Sequence, residues 1–168
     1  MALKRWILLF FCMLMGCLGC QAQVSSREFT LYGGYNYTRT GSGLEMNGFD
    51  VSGSASATDN IYVKADFKTG FKNAYGRDFH LFTYTAGPVY SFRAGKQVRP
   101  FAEVLVGGAR FAGEGSGENA IAVQFGGGLD VNRTRWGLRV VQVDYLYTHF
   151  SGAGQNNLQI STGLLLHF

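Results

Sequence analysis

The chain has 168 residues, 15 basic and 11 acidic, with 24 Gly, 14 Phe and 9 Tyr but only 2 Pro. That length fits one domain, and the near-balanced charge gives no reason to expect a nucleic-acid partner. Glycine at this density, each costing a helix about 1 kcal/mol, argues strongly against a helical fold.

Residues 1–22 read as a secretory signal peptide. Lys4 and Arg5 form a positive n-region, and Trp6 to Met15 is an apolar stretch too short for a stop-transfer helix. Ala22 stands at a small-residue cleavage position. Leu14-Met15-Gly16-Cys17 also resembles a lipobox, so lipidation at Cys17 stands beside cleavage after Ala22 as a second route. Cleavage after Ala22 removes Cys12, Cys17 and Cys20, and with them any disulfide, thiolate metal site or cysteine nucleophile. The domain is then 23–168. No later apolar run approaches the roughly 20 residues of a spanning helix, so entry into a membrane requires strands.

From Glu28 the hydrophobic period is two, broken by Gly, Asn, Asp and Ser clusters, which predicts eight strands. The first, 28–38, places Phe29, Leu31, Gly33, Tyr35 and Tyr37 on one face. The second, 46–57, is the weakest, with Phe49, Val51, Gly53 and Ala55 together. The third, 61–69, is the clearest: Ile61, Val63, Ala65 and Phe67 alternate with Tyr62, Lys64, Asp66 and Lys68. The fourth, 79–92, carries Phe82, Tyr84, Tyr90 and Phe92 in one register.

The fifth, 100–110, sets Ala102, Val104 and Val106 against Glu103 and Leu105. The sixth, 120–132, sets Ile121, Val123, Phe125, Leu129 and Val131 against Gln124 and Asp130. In the seventh, 136–150, Val141, Val143, Tyr145 and Tyr147 oppose Gln142 and Asp144. Trp136 and Arg139 break that register, which calls for a bulge at 139–141 or for Arg139 snorkelling to the interface. The eighth carries Leu158, Ile160, Thr162, Leu164, Leu166 and Phe168.

Turns near 57–60, 91–99 and 132–135 fall at the end holding both termini. Mostly longer, Gly-rich connections near 39–45, 70–78, 111–119 and 151–157 fall at the other. The fold class is therefore all-β: an eight-stranded antiparallel up-and-down transmembrane β-barrel.

The side on which charge falls carries the membrane reading. A soluble barrel points its apolar face inward, and a membrane barrel points it outward. Lys64, Asp66, Lys68, Glu103, Gln124, Gln142 and Asp144 all oppose the apolar stripe. Inside a small barrel they converge and neutralise one another, whereas each buried alone is costly. Lys64, Asp66, Glu103 and Asp144 are thus expected inward, and Val63, Val104, Val123, Val143 and Leu164 outward. Trp136 and Tyr145 lie roughly 23 Å apart along the membrane normal, close to the ~25 Å lipid band between aromatic girdles. Eight strands leave an interior that side chains fill, so no open pore is expected.

The last residues, LQISTGLLLHF, resemble the C-terminal assembly signal of outer-membrane barrels, with Leu164, Leu166 and terminal Phe168 in alternation. RPFAEVLVGGARF, FGGGLDVN and WGLRVVQVDYLYTHFSGAGQNNLQISTGLLLHF look like the small barrels related to the transmembrane part of outer membrane protein A. The resemblance implies eight strands, a packed polar interior, outer-membrane location and monomeric assembly through the barrel-assembly machinery. It also implies lipid contact and no cofactor; with the sequence ending at Phe168, the peptidoglycan-binding domain of two-domain relatives is not expected. A structural or surface-interaction role follows, with the Gly-rich loops open to a surface partner.

Two alternatives come from other classes. His149-Phe150-Ser151 resembles the His-x-Ser of outer-membrane lipid A deacylases, in which His149 would activate Ser151. Gly152 stands where that family has Asn, and no Asp or Glu follows Asp144 to orient the histidine. A soluble lipocalin-like carrier of an apolar ligand is the other alternative. His80 and His167 offer no metal-ligand spacing. Gly126-Gly127-Gly128 lacks the helix of a nucleotide loop and is expected to relieve crowding or permit curvature. Arg93, Lys96, Arg99, Arg133 and Arg135 crowd the terminal-end turns without an acid, as a solvated rim or a contact for anionic headgroups.

Overall fold

The computed structural model describes residues 28–74, 77–92, 97–113, 116–150 and 153–168. The expected leader with Cys17 and Ala22, and also Arg93, Lys96, Ser151 and Gly152, lie outside the described residues. Eight strands form: β1 (Phe29–Thr40), β2 (Glu45–Ser56), β3 (Ile61–Ala74), β4 (Arg77–Ser91), β5 (Val98–Gly113), β6 (Ser116–Asn132), β7 (Trp136–Phe150) and β8 (Ala153–His167). Each pairs antiparallel with its neighbour in sequence, and β8 closes on β1. Closure satisfies every strand's ladder and leaves no open edge.

The stagger of that closure is legible in the ladders. From Thr30 the rungs lead through Ser54, Lys64, Gly87, Leu105, Gln124, Leu146 and Asn157 to Thr40, ten residues further up the starting strand. Such an offset tilts the strands by about 40° and sets an interior that side chains can fill. Burial alternates accordingly. Lys64, Asp66 and Lys68 are buried, whereas Val63 is 58% exposed and Phe67 40%. Val104, Val143 and Leu164 are exposed and Val123 is half-buried on the same outer face.

The connections opposite the termini depart from the sequence expectation. Residues expected in longer loops are instead absorbed into strands: Phe71 pairs with His80 and Phe111 with Glu118. A backbone already held in a hairpin keeps its N–H and C=O groups satisfied by extending the ladder, even through glycine and polar residues. β5 and β6, at 16 and 17 residues, rise about 40 Å along the axis, well beyond a ~25 Å lipid band. The β1–β2 connection, which lies wholly within the described residues, is a capped turn. Gly43 adopts a φ of 82°, its N–H bonds Thr40 O at 2.9 Å, and Leu44 N donates to Thr40 Oγ1 at 3.0 Å.

Candidate functional site: the barrel lumen and its rims

The centre of the lumen gathers charge from four strands. Lys64 and Lys68 are four residues apart on β3, so both point inward with Asp66 between them. Lys64 Nζ lies 3.1 Å from Glu103 Oε2 on β5 and 3.4 Å from Asp66 Oδ1. Lys68 Nζ lies 3.4 Å from Asp66 Oδ2 and 3.7 Å from Asp50 Oδ2 on β2, and it contacts Asp144 Oδ2 on β7.

Two amides tie these pairs together. Gln124 Nε2 donates to Asp66 Oδ2 at 3.3 Å and to Glu103 Oε1 at 3.1 Å. Gln142 Nε2 donates to Glu103 Oε1 at 3.0 Å and to Asp144 Oδ2 at 2.6 Å. Every one of these side chains is buried. The structure therefore brings Lys64, Asp66, Lys68, Glu103, Gln124, Gln142 and Asp144 into one contiguous cluster. At a low local dielectric such charges persist only when paired, and each carboxylate here lies within 4 Å of a lysine ammonium.

Sequence reasoning missed several members. Asp50 alternates with Phe49 and Val51, a local signal of its inward face in a segment otherwise rich in Gly and Ser. The larger omission is Arg139. Its Nε donates to Asp130 Oδ1 at 2.8 Å, its Nη2 to Asp130 Oδ2 at 2.9 Å and its Nη1 to Gln142 Oε1 at 2.6 Å. The guanidinium also lies over the rings of Tyr32 at 4.6 Å and Phe101 at 4.3 Å.

Arg139 reaches inward because β7 carries a bulge. Both ladders slip between Arg139 and Gln142, so Val140 and Val141 face outward together. Thr162 Oγ1 donates at 3.0 Å to the Arg139 carbonyl there. Of the two readings of this register break, the bulge holds, and Arg139 does not snorkel to the interface.

Above the charged layer, toward the strand-extended end, lies an amide and hydroxyl layer. Asn36 Nδ2 donates to Thr69 O at 3.1 Å, and Ser161 Oγ to Asn36 Oδ1 at 3.2 Å. Higher still the lumen turns apolar: Met46, Leu81, Ala109, Ala120, Ala122 and Leu146 pack together with Leu44, Phe79 and Phe111 beside them. A wholly polar interior was expected. Alternation told which residues point inward, but not that those at one end would be hydrocarbon.

At the terminal end the rim is not acid-free. Glu28 accepts from Arg99 Nη1 at 3.3 Å and from Tyr62 Oη at 3.2 Å. His167 Nδ1 lies 3.0 Å from Thr30 Oγ1, and its Nε2 3.2 Å from Asn132 Oδ1. These groups line a cavity of about 50 Å³ beneath Arg139 and Glu103. His80 is remote on the outer face, edge-on to Phe71. The glycine run makes room for lumen side chains: a Cβ at Gly128 would meet the Phe101 ring at 2.8 Å.

His149 is exposed on the outer face, its ring stacked on Tyr147 and its Nδ1 3.5 Å from the Tyr147 hydroxyl. Leu164, Leu166 and Phe168 are exposed on the outside of β8 and its end. Phe168 N donates to Phe29 O at 2.8 Å, and the two rings lie 6.3 Å apart.

No family model matches the chain, and no curated protein matches it. Solved structures do. Neisserial surface protein A superposes with a TM-score of 0.68 at 15% identity, over 86% of this chain and 98% of that one. Ail, the attachment invasion locus protein of Yersinia pestis, superposes at 0.51 with 19% identity, over 83% and 98% of the respective chains. The outer membrane protein OprG from Pseudomonas aeruginosa superposes at 0.53 with 10% identity, over 84% and 95%. The chain has the closed eight-stranded fold of small outer-membrane β-barrels.

Proposed function

We propose that this protein is a small, monomeric β-barrel of the bacterial outer membrane, delivered by a cleaved leader. Its role is structural or surface-interactive rather than enzymatic. The observation that carries this reading is the inversion of polarity. Two lysines, an arginine and four carboxylates are buried inside the barrel, while valines, leucines and aromatics cover the outside. Water would reverse that arrangement, and lipid demands it. A soluble carrier of an apolar ligand needs the two faces exchanged.

In this reading the central ion-pair network plugs the lumen and no open pore runs through it. Lipid contacts the outer face, and the barrel-assembly machinery reads the β8 end through Leu164, Leu166 and Phe168. The tall β5–β6 hairpin offers a surface to partners outside the cell. Recovery of the full chain in the outer-membrane fraction, with a band that shifts on boiling, supports the proposal. A soluble periplasmic product without a shift overturns it. Fatty-acid release from lipid A that Ser151→Ala abolishes would replace the non-enzymatic reading with deacylation.

A further inference from the structure

The β6–β7 turn at the terminal end combines three features that point to one ligand class. Arg133 and Arg135 are both exposed, with Thr134 between them. The turn is held shut, because Arg133 N donates to Trp136 O at 2.8 Å and the Arg135 carbonyl accepts from His167 N at 3.0 Å. The Arg133 guanidinium lies 5.8 Å from the Trp136 ring centroid, a cation–π contact that restrains it at the level of an interfacial tryptophan.

The charge here is unspent. Two acids at this end of the lumen are already engaged, Glu28 by Arg99 at 3.3 Å and Asp130 by Arg139 at 2.8 Å. Among the described residues no carboxylate pairs with Arg133 or Arg135. Beside the turn, Gln97, Asn132, Arg133 and Thr134, with His167 and the Glu28–Arg99 ion pair, border an open hollow of about 540 Å³. On its membrane side the surface becomes hydrocarbon: Trp136 pairs across the ladder with Leu166 and Leu138 with Leu164, all four side chains exposed.

We propose that Arg133, Arg135 and Trp136 form a binding site for an anionic phospholipid of the leaflet on the terminal side. This rests on the membrane reading above. The phosphodiester sits against the two guanidinium groups, which match its oxygens in a planar, fork-like way that an ammonium does not. The Thr134 hydroxyl and the Gln97 and Asn132 edge of the hollow take the polar headgroup. The acyl chains descend over Leu138, Leu164 and Leu166. A zwitterionic lipid shares the chains and the phosphate, but its own cation opposes the arginines, so the site discriminates by net charge.

The chain contains two tryptophans, Trp6 and Trp136, so Trp6→Phe in the full chain makes Trp136 the sole reporter, already in contact with Arg133. The protein is inserted into phosphatidylcholine vesicles containing phosphatidylglycerol, with bromine placed on the chains of one lipid and then of the other. At equal bromolipid mole fraction, brominated phosphatidylglycerol should quench Trp136 about twofold to threefold more than brominated phosphatidylcholine, and the preference should fade in molar salt. Arg133→Gln with Arg135→Gln should bring the ratio to one while the boiling-dependent band shift persists. Equal quenching by the two lipids in the arginine-containing protein overturns the site, as does a preference that survives both high salt and the double substitution. If the substituted protein loses its band shift, the salt titration of the arginine-containing protein alone decides. Quenching by neither lipid would instead remove Trp136 from the membrane and overturn the barrel's proposed location.

Discussion

Gly126 on β6 sits opposite Asp144 on β7, so close that a Cβ at position 126 would overlap the Asp144 carboxylate. The missing side chain is what allows Asp144 to lean toward Lys68 in the lumen. One residue's lack of substance and another's charge are a single structural feature.

Gly126→Ala should therefore push Asp144 off Lys68 and lower the unfolding free energy by about 1–3 kcal/mol, the usual scale of overpacking. Gly33→Ala is the matched control. A Cβ there meets nothing within 4 Å, and the change should stay within about 0.5 kcal/mol. Urea midpoints of the lipid-refolded barrels compare the two. Equal losses would mean that glycine's backbone freedom, not crowding, matters at position 126.

Lys68 reaches three carboxylates, those of Asp50, Asp66 and Asp144, and shares Asp66 with Lys64. Lys68→Met leaves all three facing one another and should cost about 3–5 kcal/mol, since the uncompensated charges remain buried. Adding Asp144→Asn should recover part of that loss. A double-mutant cycle on the refolded barrel measures the coupling, and strict additivity of the two changes would argue that Lys68 and Asp144 do not interact.

The bulge makes an unusual deletion tolerable. Removing Val140 leaves Arg139 inward, Val141 outward and Gln142 inward, and lets Leu129 and Asp130 keep their partners Val141 and Arg139. The deleted protein should still show a heat-shifted band. Removing Tyr145 from the same strand forces one side of the strand to exchange faces, by the strict period of two, and should abolish the shift. Loss of folding in both deletions would show that the bulge itself is required.

Val106 stands 58% exposed in the interior of the outer face. Val106→Lys should destabilise the bilayer-embedded barrel by about 2–4 kcal/mol. On a water-facing surface the same substitution would be close to neutral. Unfolding in lipid vesicles reads the difference directly.

Much of the architecture was present in local pattern. The alternation Tyr62, Lys64, Asp66, Lys68 against Ile61, Val63, Ala65, Phe67 assigns two faces without reference to any other strand, because a strand's side chains alternate by geometry alone. Seven lumen residues were named that way. Asp50 escaped because β2 is rich in Gly and Ser, so its faces differ little in hydropathy. Arg139 escaped because a bulge changes parity, and where the parity changes depends on the ladders to β6 and β8. Glu28 was read as a strand start, while its pairing with Arg99 brings together residues far apart in sequence.

The primary structure by itself determined the strand count, the antiparallel order and, outside β2 and the bulge of β7, which face of a strand points outward, since these follow from period two and from the cost of burying or exposing a given side chain. The tertiary structure alone decided how far the hairpins extend, which carboxylate each lysine serves, where Arg139 turns inward and that one end of the lumen is apolar. Those outcomes depend on the stagger at which eight strands close, a collective property that brings Lys64 to Glu103 and Lys68 to Asp144 across distances that no local pattern encodes.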